Sequence, residues 1–160
     1  MIKSATAYRK GGEIILHADS KTTAGVWIAS PPFTALSATV AVEELGMILL
    51  DTISKSAAGV PHPRSKTDWA AVRAPLFQAF NVKSIEAQMQ GTVCCGIMDE
   101  DGILRIRPTR NEGAREGFVP VPGREICIAS NASPPEIGAA LIQGFTWCAD
   151  SDFVIRRSRS

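Results

Sequence analysis

Residues 133–148 read SPPEIGAALIQGFTWC, and they carry the strongest local signal in the chain. Ser133 is a helix N-cap residue, Pro134 fits the first helical position, and Glu136 stands three places after the serine. Ile137, Leu141, Phe145 and Cys148 then recur at three- and four-residue steps, which predicts one buried stripe on a helix. What precedes this helix decides the fold class. TVCCGIM (92–98) and ILRIRPT (103–109) are two strand patterns joined by the tight turn DEDG. In the second strand Ile103, Arg105 and Arg107 face one way, Leu104 and Ile106 the other. NEGAREG (111–117) reads as loop, FVPVP (118–122) as an extended edge and REICIAS (124–130) as a further strand.

Two helical patterns precede these strands. Leu45, Ile48, Leu49, Thr52 and Ile53 share one face, with Glu43 and Glu44 at the favourable end of the dipole and Gly59 as the expected stop. Trp69, Val72, Leu76 and Phe80 mark the second, capped by Thr67 or Asp68, where Pro75 predicts a kink or two shorter pieces. A short turn of helix is expected after Ser84. Further back, Ile2–Tyr8 and Glu13–His17 flank RKGG as a hairpin, GVWIAS (25–30) is a third strand, and Pro31-Pro32 breaks it from a fourth, Phe33–Ser37. The order is strands, helices, strands, helix, which means α+β with mainly antiparallel sheets. Residues 1–150 form a single domain on this reading, and 151–160, with Arg156, Arg157 and Arg159, form a basic tail open to disorder.

Composition is that of a globular chain: 160 residues, 45% hydrophobic and 21% charged, with a net charge of +1. Nothing at the N-terminus has the apolar run of a secretory signal, and no stretch approaches the roughly 20 apolar residues of a membrane span. The near-neutral charge argues against a nucleic-acid binder. Arg105, Arg107, Arg110 and Arg115 are offset by Glu112 and Glu116, with only Phe118 nearby for base stacking, so a solvated face is the expectation.

No phosphate loop, dinucleotide fingerprint, nucleophile elbow or zinc-protease motif occurs. Cys94, Cys95, Cys127 and Cys148 lack metal-ligand spacing, and neighbours 94 and 95 point to opposite faces of a strand. They read as small apolar residues of a reducing compartment. A nucleophile built from Cys95 with His17 or His62 has no local support. His17 is expected at a strand end in a surface or capping role, and His62, between Pro61 and Pro63, in a structural connector. No metal, cofactor or catalytic residue is therefore expected.

Several stretches taken in order resemble a known family. SKTTAGVWI (20–28), GVPHP (59–63), Trp69, NVKS (81–84), GFVPVP (117–122) and SPPEIGAAL (133–141) are similar to immunity proteins of bacterial contact-dependent growth inhibition systems. The likeness runs from Ile2 to Cys148 and rests on the ordered set, since no single motif is specific. It implies a cytoplasmic, non-catalytic protein with a Whirly-like arrangement that binds a toxin domain one to one. Such toxins are commonly nucleases. A single-stranded nucleic-acid binder is the rival reading. Because immunity proteins diversify where they touch toxin, the resemblance directs attention to the charged segments Asp99, Glu100, Asp101 and Arg110, Glu112, Arg115, Glu116.

Overall fold

A computed structural model describes the backbone of residues 1–159 and the side chains of residues 1–148. The arginine-rich end, 151–160, thus lies outside the residues whose side chains are described. The first hairpin is as expected: β1 (Lys3–Lys10) and β2 (Glu13–Thr22) pair across Gly11, which takes φ +57° in the turn. The third and fourth strands are one strand, β3 (Trp27–Ser37). His17 pairs with Phe33 and Ala18 with Ser30, so Pro31 and Pro32, joined by a cis bond, fall between two paired positions. Two prolines are tolerated here because β3 is an edge strand and their missing N–H groups leave no ladder bond unmade.

Helix α1 (Val42–Ser54) buries Leu45, Leu49, Thr52 and Ile53, with Ile48 at the rim of the core. It stops before the expected Gly59. Lys55 is the C-cap, and Ala58–Val60 forms β4, pairing in parallel with β2 while Gly59 takes φ +76°. Helix α2 (Lys66–Phe80) passes through Pro75 as one helix. Its cap is Ser65 rather than Thr67 or Asp68. The Ser65 hydroxyl accepts from the Asp68 N–H at 3.1 Å, while the Asp68 carboxylate accepts from the N–H of Arg64, the residue before the cap, at 3.0 Å. Helix α3 (Ile85–Met89), capped by Ser84, follows.

The second hairpin, β5 (Thr92–Glu100) and β6 (Ile103–Asn111), turns on Asp101 and Gly102, both at positive φ as an Asp-Gly turn requires. β5 lies antiparallel to β1 and so joins the two hairpins. The expected loop at 111–117 contains a one-turn helix, α4 (Gly113–Glu116). β7 (Phe118–Pro120) and β8 (Ile126–Ala129) both pair with β6, and α5 (Pro134–Arg159) closes the chain. The result is α+β, an eight-stranded sheet in the order β3-β2-β1-β5-β6-β7 with β4 on β2 and β8 on β6.

Strand alternation gives the sheet two apolar faces. On one, Ala5, Ala7, Leu16, Cys95, Ile97, Leu104 and Ile106 meet α1 and the α5 stripe Ile137, Leu141, Phe145 and Cys148, all four essentially inaccessible. On the other, Tyr8, Ile15 and Cys94 meet Leu76 and Phe80 of α2. The two helices on the first face touch backbone to backbone. A Cβ at Gly46 would lie 1.9 Å from the Pro134 carbonyl oxygen, and one at Gly138 1.9 Å from that of Val42. Only glycine fits at either place.

Candidate functional site

The charged segments singled out above occupy the two ends of β6. Asp99, Glu100 and Asp101 sit at the β5–β6 tip, with Glu100 and Asp101 exposed and Asp99 half-buried. Among the described residues no cation lies within ion-pair distance of these carboxylates. Arg110, Glu112, Arg115 and Glu116 lie at the far end, about 25 Å away along a nine-residue strand. The structure therefore brings the seven together as two patches on one hairpin, not as one cluster. Arg110 is already engaged, its Nε donating to the Glu112 carboxylate, while Arg115 and Glu116 are exposed on α4.

One residue of that loop escaped the sequence reading. The Asn111 side-chain amide donates to the carbonyls of Met89 and Thr92, at 2.6 and 2.9 Å, and its oxygen accepts from the Gly113 N–H at 2.9 Å. Asn111 thus pins the second charged patch to the start of β5. Nothing in NEGAREG distinguishes this asparagine from an ordinary turn residue.

Between the patches the outer face of β6 carries Ile103, 38% exposed, and Arg105 and Arg107. Glu125 stands between the arginines, 3.2 Å from Arg105 Nη1 and 3.9 Å from Arg107 Nε. Its hydrogen bond is the first cause of the upward shift of the Arg105 pKa. The arginine strand is therefore partly neutralised within the sheet. A cleft of about 330 Å³ opens beside it, lined by Arg107, Arg124, Glu125 and residues 120–123.

His17 contradicts its expected place at a strand end. It lies in the middle of β2 and is 2% exposed. Its Nδ1 donates to the Ala18 carbonyl at 2.9 Å, and its Nε2 lies 3.2 Å from the Tyr8 hydroxyl. Asp19 Oδ1 is 3.5 Å from the same Nδ1, and Asp19 Oδ2 accepts from Thr6 at 2.7 Å and Ser4 at 3.2 Å. Burial raises the Asp19 pKa, against the opposing pull of His17 and the two hydroxyls. His62 holds a connector: its Nδ1 is 3.0 Å from the Thr22 hydroxyl, and its ring stands edge-on to Trp69.

These placements bear on catalysis. Cys95 shares its face with Ala7 and Leu16, so His17, the neighbour of Leu16, points to the other side of the sheet. A Cys95–His17 pair cannot assemble in this fold. Among the described residues no three His, Cys, Asp or Glu side chains converge as a metal site, and no helix is long and apolar enough to cross a membrane.

Comparison with known proteins decides the family. The sequence matches the family CdiI, CDI immunity protein, over residues 3–148. The chain belongs to the CDI immunity protein family. Members of this family are inhibitors rather than enzymes, and this immunity protein binds and neutralises a toxin of contact-dependent growth inhibition. Two solved structures share its fold. One is a protein of unknown function from Neisseria meningitidis, with a TM-score of 0.77 and 18% identity over 92% of this chain and 96% of that one. The other belongs to a CdiA-CT/CdiI toxin and immunity complex from Yersinia pseudotuberculosis, with a TM-score of 0.76 and 17% identity over 92% of this chain and 98% of that one. At these identities the likeness is one of fold. A search of curated proteins finds no match.

Proposed function

We propose that this immunity protein forms a one-to-one complex, in the cytoplasm, with the C-terminal toxin domain of its cognate effector, that this toxin is a nuclease, and that the immunity protein has no catalytic activity of its own. The match to the family over residues 3–148 carries the reading. The Yersinia pseudotuberculosis neighbour, a toxin and immunity complex, supports a protein partner.

The electrostatics favour a nuclease. An enzyme that cleaves nucleic acid presents cations to the phosphates. The Asp99–Glu100–Asp101 tip offers three carboxylates that no cation meets within ion-pair distance among the described residues, a match for such a surface. Arg115 and Glu116, on the helix anchored by Asn111, supply a second contact. The separation of the patches, about 25 Å, suits an interface of the usual size, roughly 800 Å² on each partner.

Reversing the tip (Asp99→Lys, Glu100→Lys, Asp101→Lys) is expected to slow association with the cognate toxin more than tenfold and to flatten its dependence on salt. An Arg115→Ala, Glu116→Ala pair should raise the dissociation rate instead. Stopped-flow association measured from low to high salt checks both. Unchanged kinetics in both variants would move the toxin-binding surface elsewhere. RNA or DNA left intact by the isolated toxin would sink the nuclease assignment alone.

A further inference from the structure

Cys95 and Cys148 meet in the main core, with their sulfurs 3.6 Å apart and both residues at most 1% exposed. We infer that they are an oxidisable dithiol, a modification site at which a peroxide closes a disulfide between β5 and α5. Three features of the packing select this pair. The Cys148 S–H donates to the Cys94 carbonyl at 3.1 Å, which holds its sulfur over β5. Gly144, one turn earlier on α5, leaves open the space that the Cys95 sulfur occupies, since a Cβ there would come within 3.0 Å of it. Cys94 and Cys127 are placed away from the pair. The Cys94 side chain packs with Tyr8, Leu76 and Phe80 on the other face of the sheet, and Cys127 is exposed opposite Arg105 on the outer face.

A disulfide needs the sulfurs at about 2.05 Å, an approach of roughly 1.5 Å. Cys95 on β5 and Cys148 on α5 have to close by that amount for the bond to form. The chemistry balances with one peroxide per pair. The first sulfur attacks the O–O bond, becoming a sulfenic acid as the other oxygen leaves in water. The second sulfur then displaces the sulfenic oxygen as a second water and forms the S–S bond. Two thiol protons and two electrons leave the protein.

The same burial sets the rate. The hydrogen bond with Cys148, followed by desolvation, pushes the Cys95 thiol well above its ordinary pKa, so little thiolate is present while the fold is closed. Oxidation therefore waits on exposure of the buried pair and is slow under native conditions. Once formed, the bond spans 53 positions of sequence and restricts the unfolded chain, raising the thermal midpoint by several degrees.

The test uses the full chain carrying Cys127→Ser, which prevents cross-linking between molecules, incubated natively with excess hydrogen peroxide. After quenching, the remaining thiols are alkylated in denaturant and a non-reducing peptide map is taken. The expected map shows a peptide joining Cys95 to Cys148, Cys94 alkylated, and a midpoint that falls back when dithiothreitol is added. A map in which Cys95 and Cys148 are alkylated after prolonged exposure overturns the inference. So does a cross-link through Cys94, or recovery of the pair as sulfinic acids. Because the residues are read in a folded parent, the result does not depend on a core cysteine variant folding, nor on the toxin.

Discussion

Tyr8, His17 and Asp19 are polar groups held between β1, β2 and α2, and they stay there because each finds a partner. The imidazole Nδ1 donates to Ala18 and its Nε2 meets the Tyr8 hydroxyl, while Asp19 collects the hydroxyls of Ser4 and Thr6. Removing the ring strands the Tyr8 hydroxyl and leaves a hole between Tyr8 and Phe33, both of which contact the imidazole. His17→Ala is expected to cost about 3 kcal/mol, read from urea denaturation. Asp19 gives a pH signature. Burial raises its folded pKa, so between the ordinary aspartate range, near 4, and that raised value the folded state holds more protons than the unfolded one. Its contribution to stability is complete below the ordinary pKa and lost as pH rises through the folded one. Relative to Asp19→Asn, the parent protein should therefore gain stability as pH falls from 7 toward 4. A stability difference, parent minus variant, that stays constant or falls as pH drops over this range would contradict that. The network was hidden in the sequence because EIILHADS breaks simple alternation: β2 is covered on both sides, so a buried histidine looks like the end of an apolar run.

The helices show when an element can be read from sequence. α5 was legible because cap, first-turn proline and stripe agree, and in the structure the Ser133 hydroxyl donates to Glu136 at 3.0 Å while the stripe is fully buried. β3 was not, since two prolines usually end a strand and only its edge position lets it continue. β4 was invisible because its three residues owe their pairing to β2, a tertiary partner. Gly46 and Gly138 set the α1–α5 contact. Gly138→Ala, which in an isolated helix would gain up to about 1 kcal/mol, is expected here to lose about 3 kcal/mol, because the new methyl meets the Val42 carbonyl. A thermal or urea melt decides between the signs. In the connector, His62→Ala gives up the Thr22 and Trp69 contacts and should lower stability by about 1 kcal/mol while leaving protection of cells intact. Loss of protection by a folded His62→Ala protein would make this a functional loop.

For the whole molecule, the fold class followed from element order, and the family from motifs that turn out to be architectural: the GVPHP connector, the GFVPVP edge and the SPPE cap. That is also why the contact surface was less legible. A surface that recognises a partner need not contribute to the core, so neither periodicity nor capping marks it, and charge alone pointed to the ends of β6. The structure adds that these ends stand about 25 Å apart, one an acidic hairpin tip and the other pinned by Asn111. The central claim is neutralisation through binding. It is tested most directly by inducing the cognate toxin domain in cells with and without this protein, and purifying the toxin through a tag. The account predicts sustained growth only when the immunity protein is present, and its recovery with the toxin in equal amounts. Arrested growth despite its expression, with no co-purification, would contradict it.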